Sequence, residues 1–412
     1  MFRLSRSFLG PKGLLARFAS TSTETKNRLV YTNKLDVWTR EKAKTIPTYR
    51  VMDEEGKIID PSQDPQLPQE TCIKMYKNMV GTAVMDNILY DIQRQGRISF
   101  YMTSYGEEAT HLSAVALDND DIIFLQYREV GVLLWRGFTV DDCINQCYSN
   151  RLDPGKGRQM PVHYGSVKHN VQTISSPLAT QIPQAVGAAY AQRHLGKKSI
   201  TAVYFGEGAA SEGDFHAGLN FAATLKAPVV FFCRNNGYAI STPSEEQFRG
   251  DGIASRGPAY GLDTIRVDGN DAFAVYNSMK EAKSRALEDR PVLIEAMTYR
   301  VGHHSTSDDS SHYRKMTDVE NWVAKNNPIK RLKNYLVAKD WWNDELDEEL
   351  RKSARKGVLQ SMKRAEAEKK PSIDEMFTDV YDTMPSHLVE QQRELQEHLQ
   401  RNADQYDVHQ FA

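Results

Sequence analysis

The sequence predicts an α/β fold, a mostly parallel sheet with helices on both faces, preceded by an extended appendage and followed by a helical one. The first observation behind this is alternation. Strand 200–205, helix 212–225 and strand 229–233, then strand 264–267, helix 271–287 and strand 292–298, follow in order along the chain. The second is that these strands are nearly continuous apolar runs, which happens when a sheet is covered on both sides. The third is composition: 412 residues, 40% hydrophobic, with 52 basic and 54 acidic side chains, can bury a large core without help. The near-neutral balance gives no footprint for nucleic acid. No apolar run reaches the roughly 18 residues of a spanning helix. Cys72, Cys143, Cys147 and Cys233 have neither disulfide-framework nor zinc spacing.

Along the chain, residues 1–25 come first. They carry Arg3, Arg6, Lys12 and Arg17 and no acid before residue 24, with Ser and Thr between apolar residues. Spread basic charge of this kind reads as a mitochondrial targeting segment, cleaved near 19–25, rather than a secretory signal. Residues 26–68 are polar and turn-rich and are expected to wrap a surface. The α/β domain is expected over 69–328. It opens with an apolar stripe at Cys72, Met75, Tyr76, Met79, Val80, Ala83, Met85, Leu89 and Ile92, which predicts one or two helices. A short strand at 122–125, a helical rhythm over 130–149 and a helix over 177–195 follow. Residues 329–412 read as a helical region packed on that domain, with Trp341 and Trp342 to anchor it and a polar helix at 387–400. There is no internal repeat.

Three stretches could carry chemistry, each directly after a predicted strand. In Tyr204-Phe-Gly-Glu-Gly-Ala-Ala-Ser-Glu-Gly213, Gly206 and Gly208 leave room for a ligand, and the next helix offers N–H groups to phosphate. An ordinary tight turn fits those glycines as well. The pattern is neither the dinucleotide fingerprint nor a phosphate loop. In Cys233-Arg-Asn-Asn-Gly-Tyr-Ala-Ile-Ser-Thr242, Asn236 ends the adjacent strand and can meet Glu207 in a crevice at the strands' carboxyl ends. A carboxylate, an amide oxygen and a main-chain carbonyl suit Mg²⁺, which in turn carries phosphate. In Tyr299-Arg-Val-Gly-His-His-Ser-Thr-Ser-Asp-Asp309, a histidine loop is available for proton transfer or phosphate contact, or is a polar surface loop. No nucleophile elbow makes it a hydrolase.

Together these stretches, with RQGRISFYMTSYGEE at 94–108, GKGRQMPVHYG at 155–165 and TISSPLATQIPQAVGAAYA at 173–191, closely resemble the alpha subunits of the thiamine-diphosphate-dependent component of branched-chain 2-oxoacid dehydrogenases. Pyruvate dehydrogenase alpha subunits are the near neighbours. Glu207 stands where the wider family has Asp, as in the branched-chain group. The resemblance implies a thiamine-diphosphate-binding fold, oxidative decarboxylation of branched-chain 2-oxo acids, reductive acylation of a lipoyl group, and the mitochondrial matrix. It implies Mg²⁺ on Glu207, Asn236 and the Tyr238 carbonyl, and K⁺ on Ser175, Pro177, Thr180 and Gln181. It places Tyr127, Arg128, Ser176, Glu207, Gly208, Ala209, Arg234, Asn236 and His304 around the cofactor, with His304 catalytic. Phe100, Gln126 and Tyr127 become candidate substrate walls, and Ser305 a phosphorylation site. A vertebrate second site is replaced by Lys315. Implied partners are a beta subunit in an α₂β₂ assembly, a lipoyl-bearing acyltransferase, and a kinase and phosphatase. A noncatalytic assembly subunit is the contrasting class. The joint presence of Glu207, Asn236, Arg128 and His304 speaks against it.

Overall fold

The computed structural model describes residues 31–412. The targeting segment assigned to 1–25 lies outside the described residues. The chain divides into two units, 1–44 and 45–412. Among the described residues of the first is one short 3-10 turn, Arg40–Lys42.

In the second unit, the strands are β1 (Thr48–Tyr49), β2 (Ile122–Phe124), β3 (Val171–Gln172), β4 (Thr201–Gly206), β5 (Val229–Asn235), β6 (Tyr238–Ala239), β7 (Thr242–Pro243), β8 (Asp263–Asp268) and β9 (Val292–Met297). Seven form one sheet in the order β1-β8-β9-β5-β4-β2-β3, every neighbouring pair parallel. The pair β6–β7 is a separate antiparallel hairpin. The helices are α1 (Gln69–Arg94), α2 (Val130–Trp135), α3 (Val140–Cys147), α4 (Gln181–His194), α5 (Gly213–Leu225), α6 (Ser244–Gln247), α7 (Arg256–Tyr260), α8 (Ala272–Leu287), α9 (Met316–Asn326), α10 (Pro328–Ala338), α11 (Asp344–Ala367) and α12 (Ser386–Arg401).

Side chains alternate across a strand with period two, and the central strands use both sides. Ala202, Tyr204, Val230, Phe232, Val292 and Ile294 join a core with α1 and α8, whereas Val203, Phe205, Val229, Phe231 and Leu293 join a second core with α4 and α5. Both layers are dry, so the apolar runs read from the sequence are strands covered on both faces.

Two helical elements differ from expectation, at 130–149 and 177–195, and the helices at 69–93 and beyond 328 agree with it. Residues 130–149 form two helices because Gly137, at φ +101°, turns the chain between them. The helix predicted from 177 starts only at Gln181, after Ala179 at φ +67°. The apolar stripe of 69–93 is one helix, and all its residues except Ala83 are buried. The region after 328 holds α10, α11 and α12, and Trp342, in the link between α10 and α11, is buried with its ring edge-on to Tyr76 at 5.4 Å. The terminal helix α12 buries no residue.

The largest difference is in the segment expected to wrap a surface. It contributes β1 to the sheet edge, and Val51 and Met52 are fully buried. Asp271 explains this. Its Oδ1 caps α8, accepting from the N–H groups of Phe273 and Ala274 at 3.0 and 3.1 Å. Its Oδ2 accepts from those of Val51 and Met52 at 2.7 and 2.6 Å. Burial pushes the Asp271 carboxyl above its ordinary value, partly offset by these N–H donors. One fully buried carboxylate thus serves as helix cap and as anchor for the entering chain. Asp271→Ala should therefore destabilise the protein by about 2–4 kcal/mol, through loss of the cap and of partners for two buried N–H groups. Denaturant midpoints check this, and Asp271→Asn should lose less than Asp271→Ala.

Candidate active site

The parallel register builds the site. Gly206, the last residue of β4, lies opposite Arg234 on β5, so Glu207 and Asn236 leave adjacent strand ends side by side. The Asn236 N–H donates to Glu207 Oε2 at 3.2 Å. A cavity of about 290 Å³ opens above them, lined also by Gln126, Tyr127, Arg128, Gly208, Ala209, Tyr238, Arg300 and His304. Gly206 and Gly208 are not in the left-handed region, so neither is needed for a turn; a Cβ at Gly206 would meet its neighbours only at 3.9 Å, and space is tight at Gly208 alone. A Cβ at Gly208 would meet the Ala239 side chain at 3.0 Å. The left-handed turn belongs to Gly237, at φ +84°, which sends the chain from Asn236 into the β6–β7 hairpin.

The polar atoms of this cavity are unevenly satisfied. Glu207 is 1% exposed, burial pushes its carboxyl up, and its Oε1 has no hydrogen-bond partner. Such a group is costly unless a cation or donor meets it. Asn236 Oδ1 accepts only a long bond, 3.3 Å, from the Tyr238 N–H. Among the described residues no group of three or more His, Cys, Asp and Glu could hold a metal. One carboxylate with neutral oxygen donors instead suits Mg²⁺, which takes its remaining ligands from phosphate and water.

Arg234 lines the cavity as expected, but it is not a free phosphate clamp. Its Nη1 and Nε donate to buried Glu107 and Glu129 at 2.6 and 2.9 Å. Burial pushes the Glu107 carboxyl up, but the Arg234 and Arg128 charges outweigh it and hold it below its ordinary value. Arg128 donates to the carbonyls of Thr103 and His304 at 2.6 and 2.5 Å and so brackets the histidine loop. Gln126 ties β2 to β4, its Oε1 accepting from the Gly206 N–H at 2.7 Å.

The His304 ring lies with its Nε2 at 3.5 Å from the Tyr127 hydroxyl, and the main-chain N–H of His304 donates to Asp308 at 2.7 Å. Burial, then the charges of Arg128 and Arg300, push its imidazole down to about 3. It is neutral near pH 7.

Other expected residues lie elsewhere. Phe100 is half-buried against the α1 side of the core and does not line the cavity. Ser176 is exposed outside it, 2.7 Å from His163 Nε2. Thr180 Oγ1 lies 3.2 Å from Ser175 Oγ and 3.0 Å from the Pro177 carbonyl, which groups three of the four potassium candidates. Gln181 turns its amide N–H to the Tyr204 carbonyl at 3.1 Å. Ser305 is buried, its Oγ accepting from the Ser307 N–H at 3.2 Å. Glu107, Glu129 and Arg300 were not singled out from the sequence. Arg300 is 1% exposed, donates to Ile240 O and Tyr313 Oη, and keeps an unpartnered Nε. A charged residue just beyond a strand's carboxyl end was the available signal for it.

The class of protein follows from this fold together with a family profile: the profile of the Dehydrogenase E1 component family matches residues 76–374. Among curated relatives, the chain is 60% identical to the mitochondrial 2-oxoisovalerate dehydrogenase subunit alpha of Dictyostelium discoideum, over 93% of this chain and 87% of that one. It is 58% identical to the subunit of that name from Homo sapiens, over 89% and 83%. For Caenorhabditis elegans the figure is 56%, over 92% and 89%. The chain belongs to the dehydrogenase E1 component family, in the group of mitochondrial 2-oxoisovalerate dehydrogenase alpha subunits.

The depressed His304 value has a testable sign. A histidine whose folded value lies below the unfolded one stabilises above the unfolded value of about 6.5, and that stability is lost as pH falls. Relative to His304→Gln, the cofactor-free protein should lose up to about 1.4 kcal/mol per pH unit below about 6.5. Thermal unfolding of both at stepped pH measures the difference.

Proposed function

We propose that the cavity holds the magnesium diphosphate end of thiamine diphosphate and that a second chain completes the site. The chain's activity is thiamine-diphosphate-dependent oxidative decarboxylation of branched-chain 2-oxo acids, with acyl transfer to the lipoyl group of the acyltransferase component, in the mitochondrial matrix. As an E1 alpha subunit it works within a multi-subunit complex. One observation supports the metal reading above all: the buried, unpartnered Oε1 of Glu207 beside the Asn236 amide.

In this reading Glu207, the Asn236 side chain and the Tyr238 carbonyl would hold Mg²⁺. When bound, thiamine diphosphate supplies the electron sink that decarboxylation of a 2-oxo acid requires. The protein's share is binding, orientation and proton control. Gly208 and Ala209 border the diphosphate, and Arg300 offers its unpartnered Nε. Arg128 and Arg234 hold the cavity walls. His304 holds or moves a proton at Nε2 beside Tyr127, and an anion placed there would raise its affinity for that proton. Tyr127 is the substrate wall best supported; Gln126 is committed to Gly206, and Phe100 would act from outside this cavity. Oxygens of Ser175, Pro177, Thr180 and Gln181 would hold K⁺ and order the loop bearing Ser176. The domain limits 26–68, 69–328 and 329–412 belong to the same reading.

At about 290 Å³ the cavity lies at the small end of ligand sites, which suits the diphosphate end of the cofactor, with a beta subunit in an α₂β₂ assembly supplying the rest in this reading. Coexpressed with that partner, the chain should decarboxylate 2-oxoisovalerate and 2-oxoisocaproate in preference to pyruvate, only with both thiamine diphosphate and Mg²⁺. Activity of the chain alone would overturn the shared site, and a pyruvate preference would move it to the neighbouring group.

Ser305 connects the loop to a regulatory kinase and phosphatase. The hydroxyl is buried, so a kinase needs the loop open, and a phosphate of about −1.5 to −2 charge beside Asp308 and the diphosphate would keep it open. Ser305→Glu should lower acyl transfer to the lipoyl domain at least about tenfold, on the scale of tenfold for each 1.4 kcal/mol, while Ser305→Ala remains active. Equal activity of both variants would count against this control.

A further inference from the structure

We infer that Glu107 is a positioning residue that fixes which end of the Asn236 amide faces the metal. The inference rests on the magnesium reading of Glu207 and Asn236.

An asparagine amide presents an oxygen or an NH₂ at nearly the same place, and only the oxygen can ligate a cation. The choice must come from what touches the other end. Asn236 Nδ2 donates to Glu107 Oε1 at 3.0 Å. An ionised carboxylate only accepts, so this bond holds the NH₂ toward Glu107 and leaves Oδ1 for the metal. Glu107 is fully buried, and no solvent competes for the bond. Its other oxygen accepts from Arg234 Nη1 at 2.6 Å, which keeps the group ionised, and Arg234 is itself held by Glu129 at 2.9 Å. The same carboxylate also adds negative charge one bond behind the ligand, which strengthens cation binding.

Replacing the carboxylate by an amide inverts the logic. In Glu107→Gln the new side chain turns its oxygen to Arg234 and its NH₂ to Asn236, which must then offer Oδ1 to that NH₂ and turn its own NH₂ toward the metal. Glu129→Gln is the control. It removes the other half of the Arg234 pair without touching Asn236.

The experiment titrates Mg²⁺ into the coexpressed α₂β₂ protein at fixed thiamine diphosphate and follows cofactor uptake by quenching of protein fluorescence. Glu107→Gln should raise the Mg²⁺ concentration for half-maximal uptake by about tenfold or more, the usual effect of losing a partner behind a metal ligand. Glu129→Gln should shift it less than about threefold, an indirect change well below that range. Equal shifts in the two variants, or none in Glu107→Gln, overturn the inference. If Glu107→Gln does not assemble, Glu107→Asp serves. Keeping the charge but shortened by one methylene, it should still pair with Arg234 and lose Asn236, and unchanged Mg²⁺ dependence there overturns the inference too. A wild type indifferent to Mg²⁺ removes the metal reading and this inference with it; a metal-dependent wild type with an unmoved variant removes this inference alone.

Discussion

The site depends on one buried guanidinium held between two buried carboxylates. Arg234 lies on β5 one residue before its end, Glu129 follows β2, and Glu107 precedes the 3-10 turn Glu108–Ala116. Taking three charges out of water costs several kcal/mol per ion, and Coulomb attraction alone does not reliably return it. What makes the arrangement tolerable is that its atoms are used further. Glu129 also accepts from the Gln126 N–H, Gln126 from the Gly206 N–H, and Glu107 from Asn236. The ends of β2, β4 and β5 are joined in one network, and a cavity wall that must bind charge is rigid before any ligand arrives.

The histidine loop is attached to that wall by different means. Arg128 grips the His304 carbonyl, Thr306 exchanges hydrogen bonds with Tyr101, and Arg314 donates to the carbonyls of Arg300, Val301 and Gly302. These are mostly bonds to main-chain oxygens. They set the loop's path largely through its main chain, with Asp308 adding a brace inside the loop by accepting from the His304 main-chain N–H and the Tyr313 hydroxyl. A loop held by a few arginine contacts can also be released by added negative charge, whereas the Arg234 network, walled in on every side, cannot.

How much of this was legible in the sequence follows from distance along the chain. The alternation of apolar runs with helices gave the sheet, and the ends of β4 and β5 could be paired because parallel neighbours put Glu207 and Asn236 at the same height. Local punctuation was less readable: Ala179 in a left-handed conformation ends the irregular loop that looked helical, and no residue type announces it. Long-range pairing was invisible. Nothing in residues 51–52 says that their N–H groups belong to an aspartate 220 and 219 positions later. For the same reason Arg234 read as a phosphate donor, since its two neutralising partners lie 127 and 105 residues away. Motif stretches named the neighbourhood, while the geometry decides which groups in it are free to act.

That difference between present and free bears on what the cavity can bind. Most of the cavity's cationic donors are spent on protein carbonyls and carboxylates; among its charged groups the unpartnered buried atoms are the Glu207 Oε1 and the Arg300 Nε. An arrangement of that kind is complementary to a metal–anion pair and to neither partner alone, because the carboxylate repels a bare diphosphate and the arginines repel a bare cation. Binding the two together satisfies both orphans and adds little net charge to a closed interior. In the proposed reading, cofactor and metal would thereby be made interdependent by the wall itself.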